Sequence, residues 1–384
     1  MRRKLVQFHV WLALIFGFLW ALQGLTGSLI VFAREVDRVT APAFTSGPMR
    51  SLDEILAGAQ QAVDGAFIHR LAIADGERRL IYALYQDKEG VARAVVMDPA
   101  AAHPLDIREW EPKTPFGGEI TRWVYWLHLT LLSGDTGKKV SGIIAIVLVT
   151  GLILGLWIAW PKRGSWKFVF TANRWRTKDQ QLYGWHRAIG LAFGLVLVPL
   201  AAAGAYLALP TEPVRQFVAG FAPYVPNHGG MGHGHRQHRR EPTNRQTIPP
   251  QQALDRALQI FPDAQWVRVM MPTRHEPTYT VRMHQPGETR AWLGTTSVVV
   301  DGYTGELLGT YDPLTAPLSN RIFDAIWSFH NGELFGLTGR ILAVVIGVAL
   351  PFLYVVGLWR WLIKRKRFKS KVTAPQAAPR LHLQ

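Results

Sequence analysis

No cysteine occurs in the 384 residues. Disulfides, iron–sulfur clusters, thiolate zinc sites and covalently attached c-type haem are thereby excluded, so any metal chemistry rests on His, carboxylate, Tyr or Met. A Walker loop, a G-x-G-x-x-G after a strand, an HExxH helix and a G-x-S-x-G elbow are also missing, leaving no visible site for ATP, dinucleotide or hydrolytic chemistry. Acid is scarce in three places. Positions 2–4, 162–178 and 360–371 hold three, six and seven Lys or Arg, and Asp179 is the only acid there or in the loop they bound.

The apolar residues, by contrast, are concentrated. Trp11 to Phe32, Gly142 to Trp160, Ala188 to Leu209 and Ile341 to Leu362 are nearly free of charge, each about 20 residues, the length that crosses about 30 Å of hydrocarbon. The chain reads as an integral membrane protein in a lipid bilayer. Its net charge of +16 lies at alternate ends of these runs, while 34–139 and 210–340 are near balance, with 13 basic against 15 acidic and 12 against 11. That is the positive-inside pattern. It predicts cytoplasmic termini and a cytoplasmic 161–185 loop, with the two long segments across the membrane, and it removes the case for nucleic acid. The first run is longer than a signal-peptide core and RVTAPAF (Arg38 to Phe44) is a poor cleavage site, so a retained anchor is expected.

The runs repeat. Aligning His128 with His330 superposes Thr136-Gly137-Lys138 on Thr338-Gly339-Arg340 and Gly155-Leu156-Trp157 on Gly357-Leu358-Trp359 without a gap. Aligning His9 with His186 superposes Phe16-Gly17 on Phe193-Gly194 and Gly27 on Gly204. Four membrane helices therefore form two repeated halves, each with two histidines in corresponding places.

Between the helices of each half lies a soluble segment. Ser51 and Glu54 have capping-box spacing before a helical run to Val63, and Pro249 to Phe261 is amphipathic. Alternating runs at 69–74, 79–85 and 92–98, and at 264–271, 278–284, 296–301 and 305–312, predict strands. The expected segments are 1–33 (helix), 34–122 (first module), 123–163 (His-bearing segment and helix), 164–185 (loop), 186–209 (helix), 210–320 (second module, with a His-rich tract at 228–240), 321–364 (His-bearing segment and helix) and 365–384 (basic tail).

Helix, strands and then VVVDGYTGELLGTYD (Val298 to Asp312) resemble a PepSY module. The His-headed helices with Thr-Gly-Lys/Arg and Gly-Leu-Trp resemble the PepSY-associated transmembrane family of iron-regulated membrane proteins. Within it, the arrangement is most similar to inner-membrane ferric-siderophore reductases of the ferrioxamine B reductase type. The implied fold is an α-helical four-helix transmembrane bundle of two repeated halves with two α+β PepSY-like periplasmic modules. VVMDPAAAHPLD (Val95 to Asp106) departs from the pattern, having lost the Thr-Gly turn.

By the charge-derived topology, His9 and His186 share the cytoplasmic level, and His128 and His330 the outer one. Facing imidazoles from two helices make a metal or cofactor site. The resemblance implies two bis-histidine haem b groups, with these four histidines as axial ligands. Lys138, Arg340 and Arg187 are placed to meet haem propionates, and as interfacial anchors they would read the same. Gly24, Gly27, Gly194 and Gly204 suit either close approach of a flat macrocycle or helix–helix packing. The tract from His228 to Arg240, with four histidines and Met231, reads as a weak metal site or a polar insert.

The function implied is an oxidoreductase that carries electrons across the membrane to reduce a ferric siderophore for iron release. Its partners are that siderophore and a cytoplasmic flavoprotein or quinol donor. The alternative is a haem-free PepSY membrane sensor or protease-regulating binding protein. A transporter is disfavoured, since no broken helix marks a pathway.

Overall fold

The computed structural model describes residues 2–74, 80–171, 176–227, 241–290 and 293–373. The tract at 228–240 and the Asp75-Gly76 turn signal lie outside the described residues. Among the described residues, four helices are long and apolar enough to cross a membrane: α1 (Arg2–Ile30), α5 (Gly134–Ala159), α6 (Lys178–Ala208) and α10 (Gly336–Thr373). All start or end beyond the apolar runs. α6 begins eight residues before His186 because Thr177 and Gln180 cap it: Gln180 N–H donates to Thr177 Oγ1 and Thr177 N–H to Gln180 Oε1.

By internal contacts the chain forms two units, one from residues up to 25, 144–202 and 345 onward, the other from 26–143 and 203–344. In the first, Gly24 packs against Gly347 O and Leu350, Gly17 against the Tyr354 ring and Gly194 against Leu156. Ile15 and Phe18 are 63% exposed and Trp157 74%. On helices this apolar, such faces belong in lipid. At the basic ends Arg360 pairs with Asp179 at 3.1 Å and Arg187 donates to the Ala159 carbonyl at 2.9 Å.

In the second unit the expected pair of modules is a single eight-stranded antiparallel sheet. Its strands are β1 (Arg70–Ile73), β2 (Ile81–Gln86), β3 (Ala92–Met97), β4 (Pro104–Glu109), β5 (Gln265–Met270), β6 (Thr278–His284), β7 (Thr296–Asp301) and β8 (Leu307–Tyr311). Their order is β4-β3-β2-β1-β5-β6-β7-β8. The segments meet at β1 and β5, where Arg70 pairs with Met270, Leu71 with Val269 and Ala72 with Arg268. Two edges that would each expose unpaired backbone groups are thereby closed on one another.

One face of the sheet carries the core. Helices α3 (Leu52–Ala62) and α8 (Pro250–Ile260) cover it, burying Leu52, Ile55 and Leu254 against Leu71, Val95, Trp266, Val281 and Val298. Truncating one of the larger of these side chains to Ala costs about 2–5 kcal/mol. The helices also cap each other: Leu52 N–H donates to Gln251 Oε1 at 3.0 Å and Gln251 N–H to Asp53 Oδ1 at 3.4 Å. The Ser51/Glu54 capping box is present.

The first segment lacks the Thr-Gly pair but makes an equivalent turn with different residues. Asp301 Oδ1 accepts from the N–H groups of Tyr303 and Thr304, and Gly305 adopts φ +74°. Asp98 Oδ1 accepts from Ala100 and Ala101, and Ala102 takes the left-handed position at φ +54°. The aspartate makes the turn in both, which is why β4 exists. Two short helices, α2 (Ala33–Thr40) and α7 (Glu212–Ala219), follow α1 and α6 and had no clear signal in sequence.

Candidate functional site

His128 and His330 do not start the long helices. They end two short ones, α4 (Ile120–Thr130) and α9 (Leu318–His330). A tight reversal then leads into α5 or α10, and it explains the Thr-Gly-basic motif. A Cβ on Gly137 would stand 1.7 Å from Thr130 O, and one on Gly339 2.2 Å from Gly332 O, so only glycine lets the chain close back on itself there. His9 and His186 lie within α1 and α6.

The four histidines form two pairs, one in each unit. His9 and His186 have ring centroids 6.3 Å apart with planes at 76°. His128 and His330 are also 6.3 Å apart, at 41°. All four are half-buried. Two imidazole–metal bonds of about 2 Å in line, with roughly 1 Å more from each nitrogen to its ring centre, place coaxial ring centres about 6 Å apart. Both separations match that of two imidazoles sharing one metal.

Each ring is seated on a glycine. A Cβ would meet His9 Cε1 at 3.1 Å from Gly155, His128 Cε1 at 3.0 Å from Gly27, His330 Cε1 at 2.9 Å from Gly204, and His186 Cε1 at 3.3 Å from Gly357. His9 Nδ1–H donates to Gly151 O and His186 Nδ1–H to Leu353 O, both at 3.1 Å. His128 Nδ1 and Thr26 Oγ1 share a hydrogen bond of 3.1 Å. A carbonyl partner fixes the tautomer and leaves Nε2 as the free donor atom, the arrangement that orients a metal-ligating histidine.

The sequence missed the role of Gly155 and Gly357, although both stand in the repeated Gly-Leu-Trp mark, and it missed Thr26. Of the four glycines it named, Gly27 and Gly204 seat histidines, while Gly24 and Gly194 pack helices. Arg340 forms a bidentate pair with Glu35 at 2.7 and 2.8 Å and donates to Val31 O. Lys138 is buried. Arg187, as noted, holds Ala159 O. Thr121 Oγ1 donates to Asp37, tying α4 to α2.

The model of the PepSY-associated TM region matches residues 6–364, nearly the whole chain. The protein belongs to that family. With four spanning helices it is a membrane protein, and its histidine pairs lie within the matched region. No curated protein matches the chain.

Proposed function

We propose that the protein is a haem b oxidoreductase of the inner membrane that reduces a ferric siderophore on the periplasmic side. The observation that carries this is the common 6.3 Å separation of two histidine pairs whose rings are all seated on glycines, with Nδ1 hydrogen bonds behind His9, His128 and His186. A structural histidine needs one satisfied partner; two pairs with one spacing suit a shared ligand class. Flat faces beside glycine and the absence of cysteine favour a non-covalent macrocycle. When bound, two haems supply one-electron transfer between a flavoprotein or quinol donor and an external Fe(III) chelate. Reduction weakens the hold of hard oxygen ligands on the iron, which is then released.

His9 and His186 hold the cofactor near the basic, cytoplasmic ends, and His128 and His330 hold the other on the periplasmic side. The orientation follows from the charge asymmetry, and the two-half organisation from the repeated motifs. The resemblance to ferrioxamine B reductase-type proteins supports the substrate class.

The test is a spectrum. Detergent-purified protein supplied with haem should show low-spin b-type bands with two haems per chain, extractable into acid acetone. Proteoliposomes loaded with reductant should reduce an external ferric siderophore. Protein that binds no haem overturns this reading and leaves a haem-free sensor or protease-regulating binding protein.

A further inference from the structure

The second face of the sheet is uneven. Residues that alternate with the core point to it. In the first segment this face is a small apolar cluster of Tyr82, Leu84, Ala94 and Val96, packed with Trp110 and Leu105. In the second segment the same face carries Arg268, Arg282, Thr280 and Ser297. Since an apolar face serves the fold on one side, the arginines on the other are not required by the sheet.

Their placement is costly. Arg268 and Arg282 are directly paired across β5 and β6, where like charges destabilise an antiparallel ladder. Arg282 is 3% exposed and Arg290, in the β6–β7 connection, 8%. Burial first, then Arg70 and Arg290, pushes Arg268 down to about 9. Arg282 Nε donates to Gly294 O at 3.0 Å. Among the described residues Arg268 forms no ion pair, and the buried Arg290 Nε and Nη1 have no hydrogen-bond partner.

The carboxylates whose field reaches Arg290 offset part of its charge but do not hydrogen-bond its Nε or Nη1. Asp324 accepts from Tyr311 OH at 2.6 Å, Glu288 accepts from Gln285 N–H and Thr296 Oγ1, and Glu333 pairs with Arg34. Buried charge persists where something pairs with it.

The cluster also faces the helices that carry the outer histidines. The Arg290 guanidinium lies 5.6 Å from the Trp327 ring centre, and Tyr125 opposes the downward shift of Arg268. Trp327 precedes His330 by three residues on α9, and Tyr125 precedes His128 by three on α4. Residues three apart share a helix face.

We propose that Arg268, Arg282 and Arg290 form a carboxylate-binding site for an organic anion, one helical turn from the His128–His330 pair. The planar guanidinium fork matches a carboxylate in two parallel hydrogen bonds, and the Trp327 ring flanks the organic part. The carboxylates have two possible sources: the propionates of a haem held by that histidine pair, or a free polycarboxylate such as an anionic ferric chelate. The first source rests on the function proposed above; the second does not.

The experiment uses the full chain in detergent and the variant R268Q/R290Q. With haem propionates as the ligand, the variant binds haem at the His128–His330 site at least tenfold more weakly, with the other site unchanged. Haem dimethyl ester then binds wild type as weakly as haem binds the variant. With a free anion as the ligand, citrate titrated calorimetrically into haem-free protein binds wild type and loses at least tenfold in the variant. Either result supports the site. A variant that retains its circular dichroism and melting temperature, yet binds both haem and citrate within twofold of wild type, overturns it. If the Gln variant does not fold, R268K/R290K keeps the charge but loses the fork, and it faces the same two criteria. If no haem binds at all, the function proposed above fails, and the citrate measurement alone decides this site.

Discussion

A Cβ on Gly204 would stand 2.9 Å from His330 Cε1, so the ring occupies the space that any other residue's side chain would need. The three equivalent seats are graded: 3.0 Å for Gly27 and His128, 3.1 Å for Gly155 and His9, 3.3 Å for Gly357 and His186. Overpacking by one methyl costs about 1–3 kcal/mol, offset in part by the gain of about 1 kcal/mol from Gly to Ala in a helix. Gly204→Ala should therefore weaken haem binding at the His330 site most, and Gly357→Ala should weaken the His186 site least. Haem titration followed in the visible spectrum ranks the four variants; an unordered series would separate the glycines from the histidines.

Thr26 Oγ1 is the partner of His128 Nδ1 at 3.1 Å. Hydrogen bonds behind a metal-ligating histidine are worth about 10–100-fold in metal affinity. Thr26→Val keeps the shape and removes that bond. Haem affinity should fall by that factor at the His128–His330 site alone, while Thr26→Ser should retain it.

The two aspartate turns give opposite signs. Ala102 holds φ +54° and Gly305 φ +74°, a region that costs a residue with a Cβ about 1 kcal/mol or more. Ala102→Gly should stabilise by up to about 1 kcal/mol, and Gly305→Ala should destabilise by about the same or more. Chemical denaturation of the detergent-solubilised chain, followed by tryptophan fluorescence, reads both.

Burial pushes the Asp37 carboxyl up to about 6, against the opposing hydrogen bond from Thr121. A raised carboxyl binds its proton more tightly in the folded chain than in the unfolded one. This group's contribution is therefore most favourable below about pH 4 and is lost as pH rises through about 6, by up to about 3 kcal/mol. Asp37→Asn should melt higher than wild type near pH 7 and no higher near pH 4. An equal difference at both pH values would contradict the assignment.

Much of this was legible because it is local or periodic. The Ser51/Glu54 box, the alternation of β6 and the four apolar runs depend on neighbours in sequence, and the repeat selected the four histidines by position. The joining of β1 to β5 was not legible. Pairing between Leu71 and Val269 leaves no local mark, since each strand reads the same as an edge or as a centre. The turn at Asp98 carries no Thr-Gly mark because the aspartate oxygen makes it, with Ala102 in the left-handed position. Gly155 and Gly357 were visible as a motif, but what sits on them is set by tertiary packing.

The two histidine pairs predict a specific pattern of loss. His128 and His330 approach within one unit, His9 and His186 within the other, and both separations are 6.3 Å. If each pair holds one haem, removing either member disturbs the same haem. His128→Ala and His330→Ala should therefore convert the same half of the low-spin signal to high spin or lose it, and the double variant should resemble either single one. His9→Ala and His186→Ala should do so for the other half. The catalytic consequences differ. Without the outer pair, the remaining haem still accepts electrons from the donor, but reduction of an external ferric siderophore stops. Without the inner pair, entry of electrons is blocked, while dithionite still reduces the outer haem. Spectra in which His128→Ala and His330→Ala affect different halves would break the pairing even in an active reductase. Spectra unchanged by either would return these histidines to an interfacial role.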